Sequence, residues 1–272
     1  MAERSISEAR GLFGPDSMIW RVNREAAVAL AGTCAILMQF AHPKVAAGVR
    51  DHSQFEADPA GRLRRTFDLT LAWVFGSYEE AMTAARVVNR RHDAVRGPDY
   101  SAKDPGLLLW VQATLVYSAI EGYRALVGRL TADEADSYYK DTREIGALLG
   151  VPAELYPSNV AGLFDYMNGM MSSGQVSVGE DARRMASVVM QPRFPGVPRM
   201  AFTPLRTITA GLLPEELRRQ YGMKWGRAER LTFTAYRAML PRLISIAPKP
   251  IRYLPPARQA YRRLRVRLLA DA

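Results

Sequence analysis

The stretch DPGLLLWVQATLVYSAIEGYRALVGRL, Asp104 to Leu130, decides the fold class. Aspartate followed by proline is a paired helix-start signal. The carboxylate accepts from amides that the first turn leaves free, and the proline stands where its missing N–H is not needed. Behind this pair runs a largely apolar segment whose only charged residues are Glu121, Arg124 and Arg129. The pattern predicts a helix over 105–129, the longest of a series that makes an all-α domain the natural class.

The same punctuation recurs on both sides. Ser77 with Glu80 and Thr131 with Glu134 match the capping box, Pro43 stands at a first-turn position, and Gly97 and Gly150 stand where helices stop. These signals place helices near 18–40, 43–51, 59–76, 78–96, 105–129, 132–149, 159–172, 179–190, 203–212, 215–221, 225–245 and 257–269, about twelve in all. No internal repeat interrupts them. The expected organisation is one multi-helix domain over 1–246, followed by a Pro-rich segment and a basic amphipathic helix over 247–272.

Composition narrows the function classes. The 272 residues are 48% hydrophobic and 24% charged, ordinary for a globule. Cys34 is the single cysteine, so an internal disulfide and a Cys-cluster metal site within one chain are both excluded. The first residues lack the apolar run of a secretory signal, which makes the cytoplasm the expected location. The apolar run Ala26–Ala41 is short for a bilayer and reads as a core helix, with a membrane span as the lesser alternative. No dinucleotide fingerprint, phosphate-binding loop, nucleophile elbow or covalent haem-attachment motif occurs.

Charge is unevenly placed. Residues 1–192 carry a net −3 and residues 193–272 a net +13, and 32 of the 37 basic residues are arginine. In the last helix Ala257, Ala260, Tyr261, Leu264 and Leu268 form one stripe while Arg258, Arg262, Arg263, Arg265 and Arg267 line the rest. Packing on its own domain and lying on an anionic membrane are its two readings. Nucleic-acid binding has no recognition motif to support it.

Three histidines bound any neutral-pH chemistry. Ala81, Ala85, Val88, His92 and Val95 share one helical face, so His92 points to the core as a hydrogen-bonded core histidine or as an axial ligand to haem iron. His42 stands at a helix-to-helix corner, read as a cap on the preceding helix-end carbonyls or as a group in a distal pocket. His52 and Glu56 are a solvated pair, or with His42 the ligands of a non-haem iron. Arg62, Thr66, Leu69 and Trp73 repeat at helical spacing, and three arginines at a helix start call for an anionic partner.

The segments GPDSMIWRVNREAAVALAGTCAILMQFAHPKVAAGVRDHSQFEADPAGRLRRTF, VNRRHDAVRG and YSAKDPGLLLWVQATLVYSAIEGY together resemble the MpaB/rubber-oxygenase catalytic-domain family, which includes the latex-clearing proteins. The similarity runs from about residue 12 to about residue 245. It implies a globin-like all-α fold, a non-covalent haem b, and an oxidoreductase that uses dioxygen on a hydrophobic, unsaturated, isoprenoid-like substrate. By the same resemblance His92 is the iron ligand and Arg96 is a basic group beside the haem. Arg62, Arg65 and Thr66 match a distal R-x-x-[KR]-T motif, so Arg62 and Arg65 would contact the cofactor and Arg62, Thr66 and His42 would assist the chemistry. Arg65 stands where latex-clearing proteins carry lysine, and Gln112 where relatives commonly carry histidine. The non-enzymatic reading is a haem or lipid carrier, or a peripheral membrane protein docking through its basic C-terminal helix.

Overall fold

A computed structural model describes residues 11–53, 59–191 and 196–270, with the side chains of residues 59, 60, 62, 63 and 265–270 outside it. Among the described residues there are fourteen α-helices, three 3-10 turns and no strand. In chain order they are α1 (Met18–Asn23), a 3-10 turn (Ala26–Ala31), α2 (Gly32–Phe40), α3 (Pro43–His52), α4 (Pro59–Phe75), α5 (Tyr78–Ala94), α6 (Pro105–Leu126) and α7 (Ala132–Leu148). A second 3-10 turn (Ala153–Leu155) leads to α8 (Val160–Ser172) and α9 (Glu180–Met190), and a third (Arg199–Phe202) to α10 (Thr203–Leu212). The chain closes with α11 (Glu215–Gln220), α12 (Arg227–Ile246), α13 (Lys249–Arg252) and α14 (Pro255–Ala270). The all-α expectation holds.

Helix α6 is the central element. The Asp104 carboxylate accepts from the Gly106 and Leu107 amides at 2.8 and 3.2 Å. Around α6 pack α1, α2, α7, α8, α10, α12 and the first 3-10 turn, so Trp110, Ile120 and Leu126 are completely enclosed. Each such side chain contributes roughly 1.5–3 kcal/mol by leaving water. The crossing with the 3-10 turn needs a missing side chain, because a Cβ at Gly122 would lie 2.5 Å from Ala31 Cβ. Both capping boxes form as read, Ser77 with Glu80 and Thr131 with Glu134.

The first expected helix, 18–40, is instead broken into α1, the 3-10 turn and α2. At the break Glu25 is almost fully buried and held bidentately by Arg252 at 2.7 and 2.8 Å, while Leu254 donates its amide to the Arg24 carbonyl at 2.9 Å. A buried carboxylate needs its charge partner. That partner lies 227 residues away, and the helix yields to it.

The C-terminal segment packs into the same body. Ala257 and Ala260 are fully buried, and Tyr261 stacks edge-on against Trp20 at 5.2 Å. Tyr261 also accepts from Arg24 at 2.9 Å, and Arg263 donates to the Phe75 carbonyl at 2.7 Å. The apolar stripe of α14 is thus covered by its own domain; Leu268, Arg265 and Arg267 lie outside the described side chains. The Ala26–Ala41 run is core as read, with Cys34, Leu37 and Met38 fully buried. Among the described residues no single helix is long and apolar enough to cross a membrane.

Candidate functional site

Helices α4 and α5 form an antiparallel hairpin closed by the Ser77 capping box. Its closed end is dense. Leu71, Trp73, Val74 and Phe75 on α4 and Ala81, Ala84 and Ala85 on α5 are buried. Toward the open end burial ceases: none of residues 64–70 on α4 or 86–94 on α5 is buried. The predicted stripe is real and loosens along its length, from Ala81 and Ala85 in the core to Val88, His92 and Val95 half covered.

His92 lies at that loosened end. Its Nδ1 is buried and has no hydrogen-bond partner, as is also true of the Trp73 indole N–H two to three turns back along the hairpin. A buried polar nitrogen without a partner is costly, so this one is available for a bond. Burial lowers the His92 pKa from its ordinary value; nearby Lys103 lowers it further, and Asp93 opposes. Lys103 and Asp93 form an ion pair with each other. The imidazole is therefore neutral at pH 7, the form a metal requires.

The surroundings hold this end of α5 in place. Asn89 donates to the Leu148 carbonyl at the end of α7 at 2.9 Å. The C-terminal part of α3 abuts the chain just past α5, where a Cβ at Gly48 would stand 3.3 Å from Val95 Cγ1 and 3.5 Å from the Tyr100 ring. His52 Nε2 meets the Arg96 carbonyl at 3.0 Å, and Tyr100 donates to Asp51 at 2.7 Å.

The other candidates fall in different places. Arg96 is exposed one turn beyond His92, with its backbone in an isolated bridge to Ser101. Arg65 and Thr66 lie on the exposed part of α4, and the Arg62 side chain and Glu56 lie outside the described residues. His52 is the last residue of α3 rather than a loop residue.

His42 corrects its reading as a cap on the preceding helix. Its Nδ1 accepts from the Lys44 amide at 3.2 Å and caps the helix that follows. The proline after it turns the chain, so the ring meets the free amides of α3 rather than the carbonyls behind. Burial, with Lys44, lowers its pKa. His42 and His52 bracket the ten residues of α3, about 15 Å at 1.5 Å per residue, too far for one ion. Among the described residues no three His, Cys, Asp or Glu side chains are grouped to hold a metal. Gln112 is engaged in the scaffold, donating to the Thr142 carbonyl at 2.7 Å and accepting from Tyr156 at 2.5 Å.

Sequence reasoning missed Lys103, whose charge helps keep His92 neutral. The signal for it was present, since the residue stands immediately before the Asp104 cap. A separate groove of about 470 Å³ lies between α3 and the start of α9, with Arg50 across it bonded to Asp51 and Asp181. His92 is not part of its lining. Chemically, the hairpin's open end offers one imidazole whose pKa burial lowers, beside the half-covered apolar side chains Leu69 and Val88.

An uncharacterized protein of Mycobacterium bovis is 27% identical to this chain over 217 residues, covering 73% of this chain and 81% of its own length. An uncharacterized protein of Mycobacterium tuberculosis matches with the same figures. No solved structure matches the chain. The family model described as "ER-bound oxygenase mpaB/B'/Rubber oxygenase, catalytic domain" matches residues 20–242, a span that contains the central helix and the whole α4–α5 hairpin, and the chain belongs to this family of oxygenase catalytic domains.

Proposed function

We propose that the protein is a haem b-dependent oxygenase acting on a hydrophobic, unsaturated, isoprenoid-like small molecule, with His92 as the iron ligand. The observation that carries this reading is the unpartnered, buried nitrogen of a neutral imidazole at the loosened end of a helical hairpin. The fit is chemical. A macrocycle supplies its own equatorial nitrogens, so one protein imidazole suffices, whereas a non-haem centre needs several clustered side chains. His42 and His52 stand at opposite ends of α3 and each has a hydrogen bond of its own, which disfavours that alternative.

Bound there, the haem would supply the activation of dioxygen for oxidation of the substrate. The chain's own residues do the rest. His92 offers a lone pair that burial and Lys103 keep free of a proton. Arg62, Arg65 and Arg96 supply cations for the carboxylates of such a cofactor. Thr66 supplies a hydroxyl on the facing helix for a polar contact within an otherwise apolar space. His42 serves as the cap of α3. Leu69 and Val88, half covered where they pack on Trp73, Ala81 and Ala84, would form the apolar side of the site.

The test is an absorption spectrum of purified protein before and after adding hemin, followed by dioxygen consumption with a polyunsaturated or isoprenoid substrate. A Soret band in the wild type, absent in His92→Ala, is the expected result. A protein that stays colourless with hemin, or a variant that behaves as wild type, overturns the haem reading. A Soret band without dioxygen consumption makes the protein a carrier.

A further inference from the structure

The outer face of α12 exposes a row of large apolar side chains. Its inner face, Phe233, Tyr236, Leu240 and Ile244, packs against the core. About a third of a turn round, Leu231, Ala235, Met239, Leu243 and Ile246 follow one another at spacings of four, four, four and three and form a second apolar row. That row faces water: Leu231 is 61% exposed, Met239 54%, Leu243 52% and Ile246 80%. Just past the helix Ile251, 74% exposed, extends it. The row runs about 22 Å at 1.5 Å per residue. Apolar surface of that extent on a folded domain ordinarily marks an interaction site.

Its charge frame selects the occupant. Residues 227–252 carry Arg227, Arg230, Arg237, Arg242, Lys249 and Arg252 against one acid, Glu229. Arg252 is engaged by buried Glu25, and Glu229 is engaged by the Gly226 amide at 2.8 Å and by Lys224 at 3.5 Å. Arg227, Arg230, Arg237 and Arg242 are all exposed, and by helical angle Arg227 and Arg242 border the apolar row while Arg230 and Arg237 stand on the far side of the helix. A second copy laid on this face would set like charges against like. A surface of anionic lipid headgroups over an acyl layer complements both features at once, taking Arg227 and Arg242 at the headgroups and the leucine, methionine and isoleucine side chains below them.

We infer that the outer face of α12, continued by Ile251, is a docking surface for an anionic lipid bilayer. Helix α14, the more basic segment by sequence, has its apolar side covered by Trp20 and the core, so the contact belongs to α12. The inference does not depend on the haem reading.

The experiment uses the full chain carrying Ile246→Cys labelled with an environment-sensitive dye; native Cys34 is fully buried, which confines the label to the new thiol. A second protein carries the label at Thr234→Cys, an exposed position off the apolar row. Vesicles of phosphatidylcholine with one third phosphatidylglycerol should shift the dye emission to the blue at position 246 and leave it unchanged at 234. Leu243→Ser with Met239→Ser, or Arg227→Gln with Arg242→Gln, should weaken co-sedimentation with those vesicles about tenfold. Absence of a shift at 246 overturns the inference. So does an equal response on pure phosphatidylcholine, or a concentration-dependent dimer in sedimentation velocity that Leu243→Ser abolishes. Because the dye variants alter only exposed side chains, folding and binding are read separately.

Discussion

The two ends of the α4–α5 hairpin share one apolar stripe and differ in how far it is covered. At the closed end Phe75, Val74 and Leu71 are locked against α1 and α14, with the Phe75 ring 5.3 Å from Trp20 and its carbonyl held by Arg263. At the open end Leu69, Val88 and Val95 are equally apolar but only half covered, and His92 among them has a buried nitrogen with nothing to bond. The closed end fixes the angle between the two helices. At the open end the apolar stripe is only half covered, and the buried Nδ1 of His92 is left without a hydrogen-bond partner. Burial is concentrated at the closed end of the hairpin, and the proposed binding site lies at the other.

The sharpest way to break this contrast is to truncate one side chain at each end. Phe75→Ala removes a ring that is almost fully buried and should lower unfolding free energy by about 3–5 kcal/mol, read by thermal or urea unfolding. His92→Ala should leave the stability of the cofactor-free protein within about 1 kcal/mol, because the ring is only partly covered and its Nδ1 makes no hydrogen bond. Its effect should fall instead on hemin affinity, by roughly a hundredfold or more in a spectrophotometric titration. If the two substitutions cost equal stability, the open end is ordinary core and the contrast fails.

Acid should sharpen it. Burial lowers the pKa of both His42 and His92, so between the ordinary histidine value and the lowered native one the unfolded chain binds protons that the folded chain does not. Stability is therefore fully present above about pH 6.5, falls as pH drops below that value, and levels off once the native rings also protonate. Urea unfolding of the cofactor-free protein across pH 5–8 reads this slope. His92→Gln and His42→Gln should each flatten it, whereas Phe75→Ala should shift the curve bodily and leave its slope intact.

Much of this hairpin could be read from the residues. Ser77 and Glu80 announce its turn through chemistry confined to four residues, and Ala81, Ala85, Val88, His92 and Val95 announce their face through period alone. The loosening could not be read, since Leu69 and Val88 look no different in sequence from Leu71 and Ala85; what separates them is the number of neighbouring helices. The break at Glu25 was hidden for a related reason. Local signals favour one helix over 18–40, and the side chain that interrupts it, Arg252, approaches from the other end of the chain. His42 shows the limit in miniature, because a histidine before a proline can cap backwards or forwards, and only the turn's geometry selects the Lys44 amide.

The smallest expected effect tests the open end from its other side. Thr66 is exposed on α4, and the Thr70 hydroxyl donates to its carbonyl at 3.0 Å, a bond that alanine at 66 preserves. Thr66→Ala should therefore change unfolding free energy by less than about 0.5 kcal/mol. The same substitution at Thr70 removes that bond and provides the comparison, again within about 1 kcal/mol on an exposed helix surface. If the open end is where substrate is handled, Thr66→Ala lowers dioxygen consumption while Thr70→Ala does not, at equal hemin content. Equal activity in the two variants would leave the α4 side of the hairpin as a passive wall and confine the chemistry to α5.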